Sequence, residues 1–212
     1  MVSGNFKPGT PAMVLAVMAH PDDAELWAGG TLTLSARSAS VTIAVVRHEP
    51  GRMAEAEAGA AVIGARLHVL ASPLSQQAVC DLIVQLRPEV VITHPLGDVH
   101  PDHREVAAAV LGALPEAVIA TGQPRRVYTT DTYNSLTLDG PVRASTIIDI
   151  TTTFEAKMKA LAAHARTQPI TGHFGPMAEN IGRLWGARIG VRYAEAFTPV
   201  PVLGRLPASD GL

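Results

Sequence analysis

At 212 residues the chain has the size of one ordinary domain, and its 47% hydrophobic content is enough to form a buried core. The formal net charge of −2 and the pI of about 6.4 argue against the basic surface that binds nucleic acid or anionic membranes. A lone cysteine, Cys80, excludes an internal disulfide framework and a cysteine-based zinc knot. Any metal must therefore be held by histidines and carboxylates.

The sequence shows no targeting or membrane signal. No uninterrupted apolar run approaches the ~20 residues that cross a bilayer. Residues 1–13 lack the charged and apolar regions and the small-residue cleavage site of a secretory signal. We therefore expect a cytoplasmic protein that binds neither nucleic acid nor a membrane. No repeat, linker or low-complexity tract divides the chain, so a single domain is expected over residues 1–212.

In the first half of the chain, short β-branched runs alternate with longer Ala-rich stretches, which is typical of βαβ units. The predicted strands are Val14–Met18, Val41–Val46, Leu67–Leu70 and Val90–Thr93. The predicted helices are Glu25–Ser38, Arg52–Ala65, Ser75–Leu86 and Asp102–Leu114. Because these strands are apolar on both faces, helices should cover both sides of the sheet. The predicted fold is α/β: a three-layer, Rossmann-like, mostly parallel sheet.

The second half of the chain has weaker signals. It is predicted to contain, in chain order, strands at Val127–Tyr133 and Ser145–Ile150, a helix that threonines 151–153 can cap and that ends near His164, and a short helix at Asn180–Ala187. The stretch after Gln168 is rich in Gly and Pro. We therefore interpret residues 169–212 as a collar or tail of the same domain.

A first acidic cluster follows the first predicted strand directly: His20, Asp22, Asp23 and Glu25. Three carboxylates and an imidazole within six positions repel one another unless a positive group lies among them. His20 and Asp23 are three residues apart on a turn that opens a helix, so both can bind a metal from one side. Asp22 then points elsewhere and suits a general base that takes a proton from water.

A second cluster, HPLGDVHPDHREV from His94 to Val106, follows the fourth predicted strand in the same way. Because ligands bind outside the carboxyl ends of such strands, the two clusters should face each other across one crevice. Of His100 and His103, one can bind metal while the other faces the substrate, and Asp102 can hydrogen-bond a ring nitrogen. Helix capping is the plain alternative for one such loop, and a second matching loop makes it much weaker.

These motifs make the sequence resemble the PIG-L/LmbE-type zinc-dependent N-deacetylases. That family includes the N-acetylglucosaminyl deacetylases of mycothiol and bacillithiol synthesis and sugar deacetylases of antibiotic pathways. Its HPDDxE motif stands at residues 20–25, followed by Gly-Gly-Thr at 29–31, and its DxHPDH motif stands at residues 98–103. Weaker landmarks, from Arg-x-x-Glu at 52–55 to Tyr-Ala-Glu-Ala-Phe at 193–197, extend the resemblance over nearly the whole chain.

The resemblance implies a metal centre at the carboxyl ends of the first and fourth strands. Its ligands would be His20, Asp23 and His103, and its metal would be zinc or another divalent ion such as Fe²⁺. Asp22 would be the general base, and His100 would face the tetrahedral intermediate.

Three more roles follow from the resemblance. Asp102 would orient His100, and Arg52 would reach the substrate sugar. Asp98 stands where some members carry a tyrosine that can stabilise the oxyanion. We assign Asp98 to substrate binding. Because this position holds an aspartate, the resemblance does not imply that a tyrosine here stabilises the oxyanion.

The implied function is removal of an N-acetyl group from a small amino-sugar-containing molecule, such as an N-acetylglucosamine unit on a thiol precursor or secondary metabolite. Many relatives are oligomers, and a homo-oligomer stays open for this chain. The same metal centre would serve an amidase for a larger acyl group or a thiol S-conjugate, and this alternative stays open. So does a non-catalytic, metal-dependent regulator. A dinucleotide-binding protein is disfavoured, because HPDDAE stands where a GxGxxG would follow the first strand.

Four further polar or aromatic side chains receive supporting roles. Glu25 is expected to face the helix N-terminus, where negative charge is stabilising, or to support a metal ligand. Trp27 is expected to pack in the core, and His164 and Gln168 are expected to hold the C-terminal collar in place.

Overall fold

The structure, a computed structural model, describes residues 12–206. The strands and α-helices in this range are, in chain order, β1 Met13–Met18, α1 Asp23–Ser35, β2 Ser40–Val46, α2 Pro50–Ile63, β3 Arg66–Leu70, α3 Gln76–Leu86, β4 Val90–Thr93, α4 Pro101–Thr121, β5 Arg126–Thr129, β6 Leu136–Thr137, β7 Gly140–Pro141, β8 Thr146–Asp149, α5 Phe154–Ala162, α6 Gly175–Ile189 and β9 Ala194–Val200. A 3₁₀ turn, Tyr133–Ser135, follows β5, and a short π-helix, Ile170–Phe174, precedes α6. None of the helices in residues 12–206 is long and apolar enough to cross a membrane.

The central sheet has seven strands within the described residues, in the order β3-β2-β1-β4-β5-β9-β8. Strands β1 to β5 are parallel, and β9 runs antiparallel to both of its neighbours. The chain proceeds outward from β1 to β3 and then returns to place β4 on the other side of β1. This reversal makes the β1/β4 boundary a topological switch point, where a crevice opens at the carboxyl ends of the strands.

Strand β1 shows why the sheet lies between two helical layers. Its side chains alternate between the faces of the sheet, as strand geometry requires. Leu15 and Val17 belong to one apolar cluster with residues of α3 and α4, whereas Val14, Ala16 and Met18 belong to another with residues of α1, α2 and α5. The predicted three-layer α/β architecture is therefore confirmed.

The first four predicted strands agree with the structure to within one residue at each end. Helix α4 continues seven residues past the predicted end at Leu114, through Pro115, and ends at Gly122 with a left-handed φ of 73°. Strand β5 ends at Thr129, so Tyr133 lies in the following 3₁₀ turn instead of in the strand. Thr153 is the N-cap residue of α5, but its hydroxyl donates to the Gly30 carbonyl and accepts no hydrogen bond from a helix amide.

The segment 169–212, interpreted as a collar or tail, contributes a strand to the sheet. Its residues Ala194–Val200 form β9, which lies between β5 and β8. A buried Glu195 and a proline at position 199 interrupt the apolar pattern of this strand, and a proline within a run argues against a strand in sequence reading. Residues 207–212 of the segment lie outside the described range.

Candidate active site

Two loops at the carboxyl edge of the sheet carry the candidate site. The first connects β1 to α1, and the second connects β4 to α4. Because β1 and β4 are hydrogen-bonded neighbours, residues far apart in sequence meet here. The Ala19 amide on the first loop donates to Nε2 of His94 on the second, at 3.1 Å.

Three side-chain atoms converge between these loops: Nδ1 of His20, Oδ2 of Asp23 and Nε2 of His103. The His20 nitrogen lies 3.2 Å from the Asp23 oxygen and 3.1 Å from the His103 nitrogen. The remaining pair, His103 to Asp23, is 3.3 Å apart. Tetrahedral zinc with bonds of about 2.0–2.1 Å keeps its ligands about 3.3 Å apart. The structure therefore brings together the three predicted ligands, hereafter the donor cluster, at separations that fit a zinc-sized cation.

Asp98 holds His103 in the orientation that this cluster needs. Asp98 Oδ2 lies 2.9 Å from His103 Nδ1, and Asp98 Oδ1 accepts from the His100 amide at 2.8 Å. A carboxylate on Nδ1 leaves Nε2 facing the cluster. Asp98 is 0% exposed. The assignment of Asp98 to substrate binding therefore does not fit, because its oxygens are occupied and no surface is left for a ligand.

The electrostatics of the donor cluster show its demand for positive charge. Burial alone lowers the pKa of His103, but the charge of Asp23 and hydrogen bonds to Asp23 and Asp98 raise that pKa to about 10. Similarly, burial opposes protonation of His20, while Asp23 and Asp102 raise its pKa overall. A bound cation would replace these protons, since histidine ligands bind metal in their neutral form.

Two further histidines, His94 and His100, lie close enough to share a metal with members of the cluster. His94 Nε2 already accepts the Ala19 amide, which commits the lone pair that would bind metal. His100 Nδ1 accepts from the Asp102 amide at 3.2 Å, so a neutral His100 carries its proton on Nε2. These bonds favour the donor cluster as the ligand set and leave His100 as a hydrogen-bond donor.

Asp102 is placed differently from its predicted role. Its carboxylate is exposed and lies 3.2 Å from Nε2 of His20, whereas only its backbone amide contacts His100. Asp102 therefore contacts His100 through its backbone amide, while its carboxylate is turned toward the first loop, and an orienting role of Asp102 stays a prediction.

Asp22 lies beside the donor cluster and is 5% exposed. Burial raises its pKa, the neighbouring Asp23 raises it further, and Arg52 partly offsets both effects. Arg52 Nη2 donates to Asp22 Oδ1 at 2.8 Å, and the Gln168 side-chain oxygen accepts from Arg52 Nε at 3.2 Å. Arg52 thus has partners within the protein, and its side chain is only 14% exposed. In this structure Arg52 forms an ion pair with Asp22, and its reach to a sugar stays a prediction.

The supporting residues lie on the helical side of the site. Trp27 packs in the core as predicted, and its indole nitrogen also donates to Asp23 Oδ1 at 3.3 Å. Glu25 and His164 form a fully buried pair with Oε1 3.5 Å from Nε2. Burial opposes charge on His164, yet Glu25 raises its pKa overall.

One residue near the site was not anticipated from the sequence. Tyr133 lies in the turn after β5, and its ring centroid is 5.8 Å from that of His103. Nothing in the run TTDTYNSLT has the spacing of a metal or catalytic motif. The only available signal was its position, because it follows a strand at the same edge of the sheet.

A cavity of about 260 Å³ opens beside the cluster. Its wall includes Ala19 and Asp102 from the two site loops and Arg47 and His48 from the loop after β2. His48 is close to the centre, since its ring centroid is 5.5 Å from that of His20. The cavity therefore lies next to the site loops and has polar groups in its wall.

Comparison with known proteins agrees with this arrangement. Residues 15–114 match the sequence model of the family described as PIG-L: GlcNAc-PI de-N-acetylase. The N,N'-diacetylchitobiose deacetylase of Pyrococcus horikoshii is similar in structure, with a TM-score of 0.74 and 23% identity over 91% of this chain and 85% of that one. GalB, a 4-carboxy-2-hydroxymuconate hydratase from Pseudomonas putida KT2440, has a TM-score of 0.78 and 21% identity over 94% and 99%.

A third similar structure is Dbv21, the deacetylase of the A40926 pseudoaglycone, with a TM-score of 0.71 and 18% identity over 90% of this chain and 98% of that one. At these identities the structural likeness establishes the fold alone. The family match covers both motif loops and the strands that carry them. Residues 15–114 are thus similar to the PIG-L family, and the resemblance of the two motifs to that family is confirmed.

Proposed function

We propose that this chain is a divalent-metal-dependent hydrolase that removes the N-acetyl group from a small amino-sugar-containing substrate. The observation that carries the proposal is the convergence of His20, Asp23 and His103 at mutual distances of 3.1–3.3 Å, beside the Asp22 carboxylate. A metal site with a neighbouring unligated carboxylate is the arrangement that hydrolytic metal catalysis needs.

The donor set of two imidazole nitrogens and one carboxylate oxygen suits zinc and also Fe²⁺. A divalent cation held by the donor cluster supplies Lewis acidity that stabilises negative charge on an acyl oxygen. Trp27 and Asp98 each orient one member of this cluster. They hydrogen-bond Asp23 and His103 respectively and so fix the directions of the donor atoms.

Asp22 is the general base in this proposal. It takes a proton from water while the water oxygen forms a bond to the acyl carbon. When the carbon–nitrogen bond breaks, the proton held by Asp22 passes to the nitrogen, so the products are acetate and a free amine. The raised pKa of Asp22, caused by burial and by Asp23, makes the carboxylate a stronger base than an exposed aspartate.

His100 contributes as a neutral hydrogen-bond donor. Its Nδ1 accepts the Asp102 amide, which leaves the Nε2 proton for the substrate. Burial and the nearby His103 and His20 lower the pKa of His100, which favours the neutral ring. Its role is to stabilise the acyl oxygen as negative charge develops there.

An amino sugar is the proposed substrate for two reasons. The matching family is described as GlcNAc-PI de-N-acetylase, and two similar structures are deacetylases of N,N'-diacetylchitobiose and of the A40926 pseudoaglycone. The cavity of about 260 Å³ beside the donor cluster, with Arg47 and His48 in its wall, has room and polar groups for one sugar ring. A cytoplasmic location stays a prediction from the sequence, and self-association stays open.

The proposal is tested by offering the zinc-loaded chain a panel of N-acetylated amino sugars and glycosides and measuring acetate and free amine. We expect the two products in equal amounts from at least one panel member. N-butyryl analogues and thiol S-conjugates in the same assay detect an amidase of different specificity. Because a hydratase shares the fold, an unsaturated dicarboxylate belongs in the panel too.

Asp22→Asn sharpens this test. The variant should retain bound metal and lose about 10²–10⁴-fold in kcat, the usual weight of general-base catalysis. Asp81→Asn, on the exposed face of α3, is the matched control and should leave kcat unchanged. Full activity of Asp22→Asn, or a panel without any acyl hydrolysis, would contradict the proposal.

A further inference from the structure

His94 follows β4 directly and contacts the donor cluster on both loops without belonging to it. The residue is 0% exposed. Its Nε2 accepts from the amide of Ala19, the residue before His20, at 3.1 Å, and the same atom lies 3.3 Å from Asp23 Oδ2. Its ring stacks on that of His103, with 3.8 Å between the centroids and 15° between the planes. One side chain therefore touches the backbone next to one predicted ligand and the side chains of the other two.

The hydrogen bond between Ala19 and His94 extends the pairing of two strands into the site loops. The backbone ladder between β1 and β4 joins residues 14–16 to residues 90–92. Past the end of this ladder, Thr93 Oγ1 donates to the Val17 carbonyl at 3.0 Å, and His94 then accepts the Ala19 amide. Side chains of the second loop thus replace backbone groups as partners of the first. His94 makes the later of these two contacts, immediately before the donor cluster begins at His20.

The second ring nitrogen of His94 shows that stability alone does not explain an imidazole here. Because Nε2 accepts a hydrogen bond, the neutral ring carries its proton on Nδ1. Nδ1 is buried and has no hydrogen-bond partner in the part of the chain that the structure describes, and an unpaired buried donor lowers stability. An apolar side chain would avoid this loss but would leave the Ala19 amide without its acceptor. The imidazole therefore exchanges one unpaired donor for another, and what it adds is the link between the loops.

The separation of the two loops decides whether a cation can be held between them. Nδ1 of His20 on the first loop and Nε2 of His103 on the second lie 3.1 Å apart, and a functional site must hold its groups to within about 0.5 Å of the productive geometry. Packing and hydrogen bonds from residues around the ligands provide this precision. His94 is suited to the task because its buried ring contacts both loops.

We propose that His94 is a positioning residue of the metal centre. It holds the two site loops at the separation at which the donor cluster converges on one cation, and it does not bind the cation itself. The acceptor at Nε2 sets the first loop through Ala19, and the stacked ring sets His103 on the second loop. The inference rests on the proposed function, since it assumes the metal site, and it names what sets the geometry of that site.

Two substitutions separate the acceptor from the ring. His94→Phe keeps a flat ring against His103 and removes the acceptor, whereas His94→Gln loses the ring and can place an amide oxygen near the position of Nε2. We expect the zinc affinity of the chelator-treated protein to fall about 10–100-fold in His94→Phe, and His94→Gln to recover most of this loss. Because His94→Phe exchanges one unpaired buried donor for another, the Tm of the metal-free protein should stay close to that of the wild type. His68→Phe, on β3 and two strands away from β1, is the matched control and should bind zinc like the wild type.

Cobalt substitution gives a second readout that a purely structural role would not change. Co²⁺ binds nitrogen and oxygen donors as zinc does, and its visible absorption depends on the angles among its ligands. The cobalt-loaded His94→Phe protein should show a visible spectrum that differs from that of the wild type, while His68→Phe should reproduce the wild-type spectrum. If His94→Phe does not fold, His94→Asn takes its place, because the shorter asparagine amide does not reach the position of Nε2.

The outcomes separate the role of His94 from the proposed function. If His94→Phe equals the wild type in zinc affinity and in its cobalt spectrum, the positioning role is rejected and the proposed function stands. Equal losses of zinc affinity in His94→Phe and His94→Gln also reject it, because the acceptor would then not be the cause. A wild type that binds zinc but hydrolyses no panel member rejects the proposed function alone, since zinc binding still decides the role of His94. A wild type that binds no zinc rejects both.

Discussion

Buried charged side chains contact helix α1 at two places, near its middle and at its N-terminus. The charges are arranged differently at the two places. Near the middle of the helix, Lys157 Nζ lies 2.6 Å from Glu195 Oε1 and donates to the Leu26 carbonyl at 2.8 Å. Glu195 in turn accepts from the amides of Gly30 and Thr31 at 3.0 and 2.7 Å. The pair hydrogen-bonds these backbone groups of α1, and its opposite charges compensate each other.

At the N-terminus of α1 the charges do not compensate in this way. The donor atoms of His20, Asp23 and His103 point at one another, and their lone pairs repel unless a proton or a cation lies between them. The comparison shows how to tell structural from functional buried charge. In the structural case the partners are protein groups of opposite charge. In the functional case several atoms that can donate a lone pair to a metal converge on a point that a cation can occupy.

The largest effect is expected from breaking the compensated pair. Lys157→Met leaves Glu195 buried without its counter-ion and should lower the free energy of unfolding by about 3–5 kcal/mol. Chemical denaturation measures this loss. Lys159 is an exposed lysine on α5, the helix that also carries Lys157. Lys159→Met should change the free energy of unfolding by no more than about 0.5 kcal/mol. A loss below about 1 kcal/mol in Lys157→Met would show that the pair is not a structural element of α1.

A smaller effect is expected from weakening the support of the donor cluster. Asp98→Asn removes the negative charge of the carboxylate that contacts His103 Nδ1. The substitution should weaken zinc affinity about 10–100-fold, while the fold is retained. Competition with a chromophoric chelator measures the change. Asp139→Asn, on the exposed β6–β7 connection, serves as the control. An unchanged zinc affinity would show that Asp98 does not orient a metal ligand.

Much of this arrangement was predictable because it is local in sequence. The strand β1 and the motif at residues 20–25 are adjacent, and the parallel βαβ pattern places the second motif at the same edge of the sheet. These two facts predicted that the two motifs meet, and the family resemblance supplied the choice of His103 over His100 as the third ligand. The fold and the family resemblance were accordingly confirmed.

Other features depend on packing that sequence patterns do not show. The motif position of Asp98 gave no sign that the residue is fully buried, and the pairing of Arg52 with Asp22 requires α1 and α2 to be in contact. Strand β9 was hidden by Glu195, whose charge is acceptable only because Lys157 arrives from α5. Tyr133 could not be inferred either, since its turn depends on the distant Trp185 and the buried Asp131.

The most direct test of the account is the binding of zinc to the chelator-treated chain, measured by calorimetry with wild type and His103→Ala side by side. We predict one zinc per wild-type chain, release of protons on binding because His103 and His20 must become neutral, and loss of the site in His103→Ala. A wild-type chain that binds zinc no better than His103→Ala would contradict the central claim that the two loops together hold a metal.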